Sequence, residues 1–330
     1  MNSSLNPDRK SEIIAYILLI LTMVIWGGTW PLGRWLVSEE VGGETIPPMM
    51  IAAIRYLVVI ICFFFILRYQ EGTFNFQFAK ENWKILTIMG LTSVTIYQAG
   101  YLIGEIYTAA SDASILVTTN AIWVIILASA FLKTEYFTWK KALGTLLAIV
   151  GVITIVGFSP NIDVPNRILG DMLILIGAFA YATYTVFLRS FLTKKNRAES
   201  YQPTSLWIIT WVSFCGFLTT IPISLLLSPE FLNPFEYFTI PVRVWLGIAY
   251  LAFLSSVVGY TFYLEGVKRL DASRAAIFQT LVPLFGVILS VLYLNERFDV
   301  FIHSLAFLLV ISGITLVNRD MSHSKKKKVH

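Results

Sequence analysis

The chain has 330 residues, of which 56% are apolar and 14% charged, with a formal net charge of +5 and a mean hydropathy of +0.71. An average soluble domain carries about 25% charged residues, and a soluble fold of this size cannot hide so much apolar surface. A cytosolic enzyme, a secreted disulfide scaffold and a disordered chain are excluded. Cys62 and Cys215 lie in apolar runs, and His303, His323 and His330 make no ligand cluster, so no disulfide framework, metal site or cofactor is expected.

A helix needs about 20 apolar residues to cross roughly 30 Å of hydrocarbon. In chain order the first charge-free window is 13–33, which runs on through Trp26, Trp30 and Pro31 and reads as a retained helix, since a signal peptide has a shorter apolar region. The second span, 47–67, is apolar but carries Arg55. Spans follow at 85–104, 113–132, 142–162 and 172–191, then within 200–229 between Pro203 and Pro229. The last three are 244–264, 275–295 and 300–318. The fold expected is an all-α integral membrane bundle of ten transmembrane helices.

Charge sets the orientation. With the N-terminus in the cytoplasm, the outer side keeps only Arg34, Arg55, Arg167, Arg243 and Arg297 of the 25 Lys and Arg. This satisfies the positive-inside rule. A multi-pass protein of the cell membrane with both termini cytoplasmic is expected, and Lys325–Lys328 read as a topology anchor beside anionic lipid. The partners expected are a small-molecule solute and the lipid bilayer, with no nucleic acid; monomer and homodimer both stay open.

The two halves are alike. A shift of 161 lays the fourth span on the ninth, so that Thr119 meets Thr280 and Glu135 meets Glu296. A shift of 155 lays the first on the sixth, so that Trp26 meets Tyr181 and Arg34 meets Arg189. Five spans are an odd number, so the second repeat enters the membrane from the opposite side, as in many secondary transporters. The organisation expected is a cytoplasmic segment at 1–12, five-helix repeats at 13–158 and 169–317 related by an in-plane pseudo-two-fold axis, and a basic tail at 318–330.

Local motifs follow the same order. The first span carries Trp26-Gly27-Gly28 and the second Arg55-Tyr56. The fourth and ninth run from small residues (Ala109, Ala110, Ala113, Ser114; Ala272, Ser273, Ala275, Ala276) to Glu135 and Glu296, and each is followed by a helix with a late glycine, Gly151 or Gly313. The sixth opens Leu169-Gly170-Asp171 and continues Tyr181-Ala182-Thr183-Tyr184-Thr185-Val186. In this order, over about residues 10–318, the chain resembles the EamA-type branch of the drug/metabolite transporter superfamily. The resemblance implies a secondary carrier with a central cavity walled by the first, third, fourth, sixth, eighth and ninth helices. One departure is Ile122, where the family places a proline that Pro283 supplies in the ninth span; a less kinked fourth helix is expected.

Polar groups at membrane depth point to a pathway or a helix contact. Arg55 reads either as an anion or carboxylate contact, or as an arginine snorkelling to the outer headgroups. Glu105 and Glu265, related by a shift of 160, read as paired gating or coupling acids or as ordinary helix-end carboxylates. Glu135 and Glu296 read as loop-facing residues held by hydrogen bonds at helix ends. Asn120, which shares a face with Trp123, and Gln279 lie near the midplane as substrate contacts or as interhelical glue. Trp26, Tyr97, Tyr101, Tyr181, Tyr184, Tyr260 and Tyr263, with Gln98, fall away from the loops on the helices that the resemblance assigns to the cavity. The candidate substrate-binding set is Trp26, Arg55, Tyr97, Gln98, Asn120, Trp123, Tyr181, Tyr184, Tyr260, Tyr263 and Gln279. Rings with a few amides suit amino acids and related amphipathic or aromatic solutes, with export as the direction. Gly144 and Ala148 form a small-residue face for a close helix contact inside the chain or between chains.

No Gly-x-x-x-x-Gly-Lys-Ser/Thr loop is present, so direct ATP drive is not expected. The function expected is alternating-access transport rather than catalysis. The competing reading, a membrane-embedded enzyme acting on lipid-linked substrates, would call for clustered acids, histidines or a metal at the interface.

Overall fold

The computed structural model describes residues 7–131, 138–160, 166–193, 202–233, 235–269, 278–279 and 281–326. Among these, seven helices are long and apolar enough to span a bilayer, and three shorter apolar helices bring the number to ten. They are α1 (Pro7–Gly27 continuing as Thr29–Val37), α2 (Pro48–Glu71), α3 (Trp83–Tyr107), α4 (Ala110–Phe131) and α5 (Trp139–Phe158) in the first half. In the second they are α6 (Arg167–Thr193), α7 (Ser205–Leu227), α8 (Val242–Gly266), α9 (Leu281–Leu294) and α10 (Val300–Lys326). Every backbone polar group inside hydrocarbon needs an internal partner, which the helix supplies within one segment. Side chains such as Ile61, Phe65 and Leu308 are exposed on the outside of the bundle, where acyl chains would cover them.

Local sequence sets the helix ends. Proline begins α2, where its missing N–H costs nothing, and α2 stops at Gly72 in the left-handed region (φ +70°). Thr204 caps α7 by accepting a hydrogen bond from Trp207 N at 3.0 Å. Asp299 does the same for α10 through Ile302 N at 2.8 Å.

The packing obeys a two-fold rule. Helix α1 packs on α8 and α9, and α6 packs on α3 and α4; α2 pairs with α7, α4 with α9 and α5 with α10. Exchanging each helix for the one five places on maps this pattern onto itself. Because five crossings reverse direction, the halves are inverted. Both termini share one face, here the terminal face. The opposite, distal face gathers the ends of α1, α3 and α9 and the starts of α4, α6 and α10.

The irregularities are paired too. Helix α3 widens to π-helical geometry at Leu91–Ile96, and α8 does so at Tyr250–Val258. The shift of 160 that relates Glu105 to Glu265 also superposes these segments. Single π-turns inside α-helices often mark functional sites. Helix α4 contains a 3-10 turn at Val117–Thr119, although it lacks the proline. Thr118 and Thr119 donate to the carbonyls of Ile115 and Leu116 at 2.6 and 2.7 Å, and such side-chain bonds bend helices. A less kinked fourth helix is expected from Ile122; the helix carries this 3-10 turn at Val117–Thr119, where threonine side chains bond to its carbonyls.

Small residues let helices touch. A Cβ on Gly313 would lie 2.3 Å from Gly144 O and 3.1 Å from Ala148 Cβ, so α10 occupies the small-residue face of α5 within the same chain. At the α3–α6 crossing a Cβ on Gly100 would meet backbone, Leu173 O at 2.6 Å and Gly177 Cα at 2.8 Å, whereas one on Gly177 would have nothing nearer than 3.4 Å. Gly100→Ala should therefore force two backbones apart and cost about 1–3 kcal/mol, as overpacking does. Gly177→Ala should stay within about 1 kcal/mol of wild type. Thermal unfolding of both variants in detergent tests the asymmetry, and equal effects would contradict this crossing.

Candidate functional site

A cleft lies between the halves. In this conformation its side chains leave a free volume of about 20 Å³, room for about one water, so a solute needs the halves to part. Tyr56, Val59 and Phe63 of α2 line it, with Ser93 and Val94 of α3, Tyr181 and Tyr184 of α6, Ile209, Val212 and Ser213 of α7, and Ser256 and Tyr260 of α8. Ser93 and Val94 belong to one π-helical segment and Ser256 to the other. The wide turn in α8 frees backbone groups that side chains then use. Ser256 Oγ donates to Leu251 O, five residues back, at 3.0 Å, and Trp26 Nε1 donates to Ser255 O at 2.9 Å. Gly259 leaves room for that indole, since a Cβ there would meet Trp26 Nε1 at 2.7 Å.

A belt of rings runs across the interface. Trp26 contacts Tyr260 and Tyr263, with centroids 5.5 and 5.3 Å apart. Tyr181 and Tyr260 line the cleft together, and the Tyr181 ring lies 5.2 Å from Tyr97 and 5.4 Å from Tyr184. The structure therefore brings Trp26, Tyr97, Tyr181, Tyr184, Tyr260 and Tyr263 into one assembly. Trp123 stands apart and packs edge-on against Phe179. Of the expected site residues Tyr181, Tyr184 and Tyr260 line the cleft; Trp26, Arg55, Tyr97, Gln98 and Tyr263 are not in its lining, and neither is Asn120, which is half-buried. Gln279 is exposed and donates to the Tyr263 hydroxyl at 2.8 Å, at the edge of the belt.

Arg55 does not snorkel. Its side chain is 7% exposed and turns inward from α2 to α8. The guanidinium donates to Ser256 Oγ at 3.2 and 3.1 Å, to Ser255 Oγ at 3.4 Å and to Gln98 Oε1 at 3.4 Å. Gln98 is buried in turn and reaches the Tyr56 hydroxyl at 3.5 Å. Among the described residues Arg55 makes no ion pair.

The distal end is closed by buried charges. Arg34 sits 3.4 Å from Glu296 and 3.2 Å from Glu40, and it donates to the main-chain carbonyls of Glu105 and Thr108. Glu296 is 4% exposed and accepts from Ala110 N and Ser111 N, at 2.8 and 2.9 Å, at the start of α4. It is thus hydrogen-bonded at a helix end but buried, and the loop-facing expectation for it is corrected; Glu135 lies outside the described residues. A second cluster joins Arg167 to Asp171 at 3.2 Å and to Asp112 at 3.7 Å, with His303 Nε2 3.3 Å from Asp112. Thr108 donates to the other oxygen of Asp171. Arg34–Glu296, Glu296 to Ala110 N and Ser111 N, Arg167–Asp112, His303–Asp112 and Thr108–Asp171 cross from one half of the chain to the other.

Glu105 and Glu265 have unlike surroundings. Glu105 is fully buried beneath Arg34, and neither carboxylate oxygen has a hydrogen-bond donor. Glu265 is half-exposed toward the terminal face, 3.7 Å from Arg269.

Sequence reasoning missed Ser255 and Ser256, whose signal is a Ser-Ser pair inside an apolar span. It also missed Asp112, Arg167 and the ion-pairing role of Asp171 and His303. Arg167 and Asp171 stand four apart on α6, a spacing that was open to reading, whereas Asp112 and His303 lie on other helices and join them only through tertiary packing.

Comparison with known proteins agrees with this architecture. The EamA-like transporter family matches residues 13–157 and again residues 168–319. The uncharacterized transporter YetK of Bacillus subtilis (strain 168) is 28% identical over 307 residues, covering 92% of this chain and 87% of that protein. A probable amino-acid metabolite efflux pump of Escherichia coli (strain K12) is 28% identical over 293 residues, covering 88% and 89%. A solved crystal structure 15% identical in sequence superposes with a TM-score of 0.57 over 92% of this chain and 96% of its own, and shows the shared fold. With the family matched once in each half, the chain belongs to the EamA-like transporter family of the drug/metabolite transporter superfamily.

Proposed function

We propose that this protein is a secondary carrier that exports amino acids or related amphipathic and aromatic solutes by alternating access, with both termini in the cytoplasm. One observation carries the reading: a polar, tyrosine-lined cleft at the contact of two inverted halves, shut on the distal side by ion pairs that join those halves. The efflux-pump name of the Escherichia coli relative supports the substrate class and direction. In this reading the terminal face is cytoplasmic, Arg34–Glu296 and Arg167–Asp112 form the outer gate, and Glu105 beneath them is the coupling acid. Trp26, Arg55, Tyr97, Gln98, Tyr181, Tyr184, Tyr260 and Tyr263 form the substrate site, and Asn120, Trp123 and Gln279 flank it.

Counterflow in proteoliposomes tests the activity. A labelled amino-acid mixture should enter vesicles preloaded with the same unlabelled solutes; product formation without flux would support an enzyme instead. Orientation is tested by cysteine labelling after Cys62 and Cys215 are replaced. Glu39→Cys should react with an impermeant maleimide in intact cells and Lys326→Cys only after permeabilisation; labelling of both from outside overturns the topology.

The gate makes a third test. Glu296→Gln leaves Arg34 with a single, partly exposed carboxylate, and breaking a buried pair from one side costs about 3–5 kcal/mol. Adding Arg34→Gln should recover part of the lost thermal stability. Counterflow by the double variant should change more than stability does, because the pair spans the moving halves. Additive stability losses would show that the two side chains act independently.

A further inference from the structure

Among the described residues three arginines are buried in the bundle: Arg34, Arg55 and Arg167. Two of them face carboxylates, Arg34 at 3.2 and 3.4 Å and Arg167 at 3.2 and 3.7 Å. Arg55 faces two serine hydroxyls and an amide, all neutral, at 3.1–3.4 Å. These lengths lie at the weak end for N–H donors to oxygen. A guanidinium taken out of water demands a counter-charge, and this one has none among the described residues.

Its position says where that counter-charge arrives. Ser256 both binds Arg55 and lines the cleft, and Tyr56, the next residue along α2, lines it too. The guanidinium is therefore one side chain away from the solute space. We infer that the cleft takes solutes bearing one free carboxylate, which pairs with Arg55 while the tyrosine belt holds the apolar body. This inference rests on the reading of the chain as a carrier. The guanidinium fork matches a carboxylate bidentately, and the Ser255 hydroxyl, which accepts from Arg55, can turn its proton toward it, whereas the Ser256 proton is held by Leu251 O. A monoanion fits better than a phosphate dianion, because the cleft lining itself holds no cation and Arg55, behind Ser256, is the one guanidinium beside it among the described residues. A second negative charge would stay unpaired at membrane depth.

The test compares acids with their amides on the full chain in lipid nanodiscs. The probes are L-phenylalanine, L-leucine and 3-phenylpropanoate, each beside its primary amide, with binding read by isothermal titration calorimetry. At least one acid should bind, and its amide should bind about 10- to 150-fold more weakly, the worth of a charged hydrogen bond. Arg55→Met should erase that gap and Arg55→Lys should keep part of it. Equal binding of acid and amide to the wild type, a gap that survives in Arg55→Met, or no binding by any acid overturns the inference. Should Arg55→Met fail to fold, the wild-type comparison decides alone. Counterflow with the same probes separates this failure from failure of the carrier reading: amides exchanged as fast as acids keep a carrier without a carboxylate anchor, whereas no exchange of any probe together with no binding removes both.

Discussion

Moving a charge out of water into a membrane bundle is costly, and the polar architecture here follows from how that cost is met. At the distal end it is met by pairing. Arg34 and Arg167 lie within 4 Å of carboxylates, and Glu296 also takes two backbone N–H groups at the start of α4. Such pairs gain little stability over apolar packing, but breaking one partner is expensive. They make a closure that is firm while assembled and that depends on both halves being in place. Around Arg55 the cost is met, among the described residues, by neutral dipoles and the ring of Tyr56, so this is where the bundle is electrostatically incomplete.

The fold serves these charges through a few backbone irregularities. The π-helical turns of α3 and α8 set Ser93 and Ser256 against the cleft and leave a carbonyl for Trp26. Glycine at the α3–α6 crossing lets two backbones meet, which brings Tyr97 and Tyr181 within ring contact. The belt of rings is thus a product of close helix approach as much as of aromatic composition. Repetition matters as well: the wide turns occur at matching places in both halves, so the cleft is bounded by equivalent distortions running in opposite directions.

Much of this was legible in the sequence. Ten spans follow from apolar length alone, because hydrocarbon thickness sets the length of each helix. Arg55 stood out as a charge within such a span, and the aromatic belt was largely named from helix assignment and depth. The reach of Arg55 was not readable, since inward and snorkelling rotamers share one sequence and only the serines of α8 decide between them. The pairing of Asp112 with Arg167 and His303 joins three helices distant in the chain, and no local pattern encodes it. Asn120 and Trp123 share depth with the site, but their helix follows a 3-10 turn set by Thr118 and Thr119, and neither residue lines the cleft.

The solitary guanidinium of Arg55 has one more consequence, for the charges that approach it. A fixed positive charge at the core of a low-dielectric bundle raises a barrier to any other cation, as arginines do in pores that conduct water or solutes while excluding protons. A cation at the cleft lining beside Ser256 stands one side chain from this guanidinium and meets its repulsion there. The same charge attracts anions, so the cleft beside it sorts solutes by sign before any contact with the rings is made.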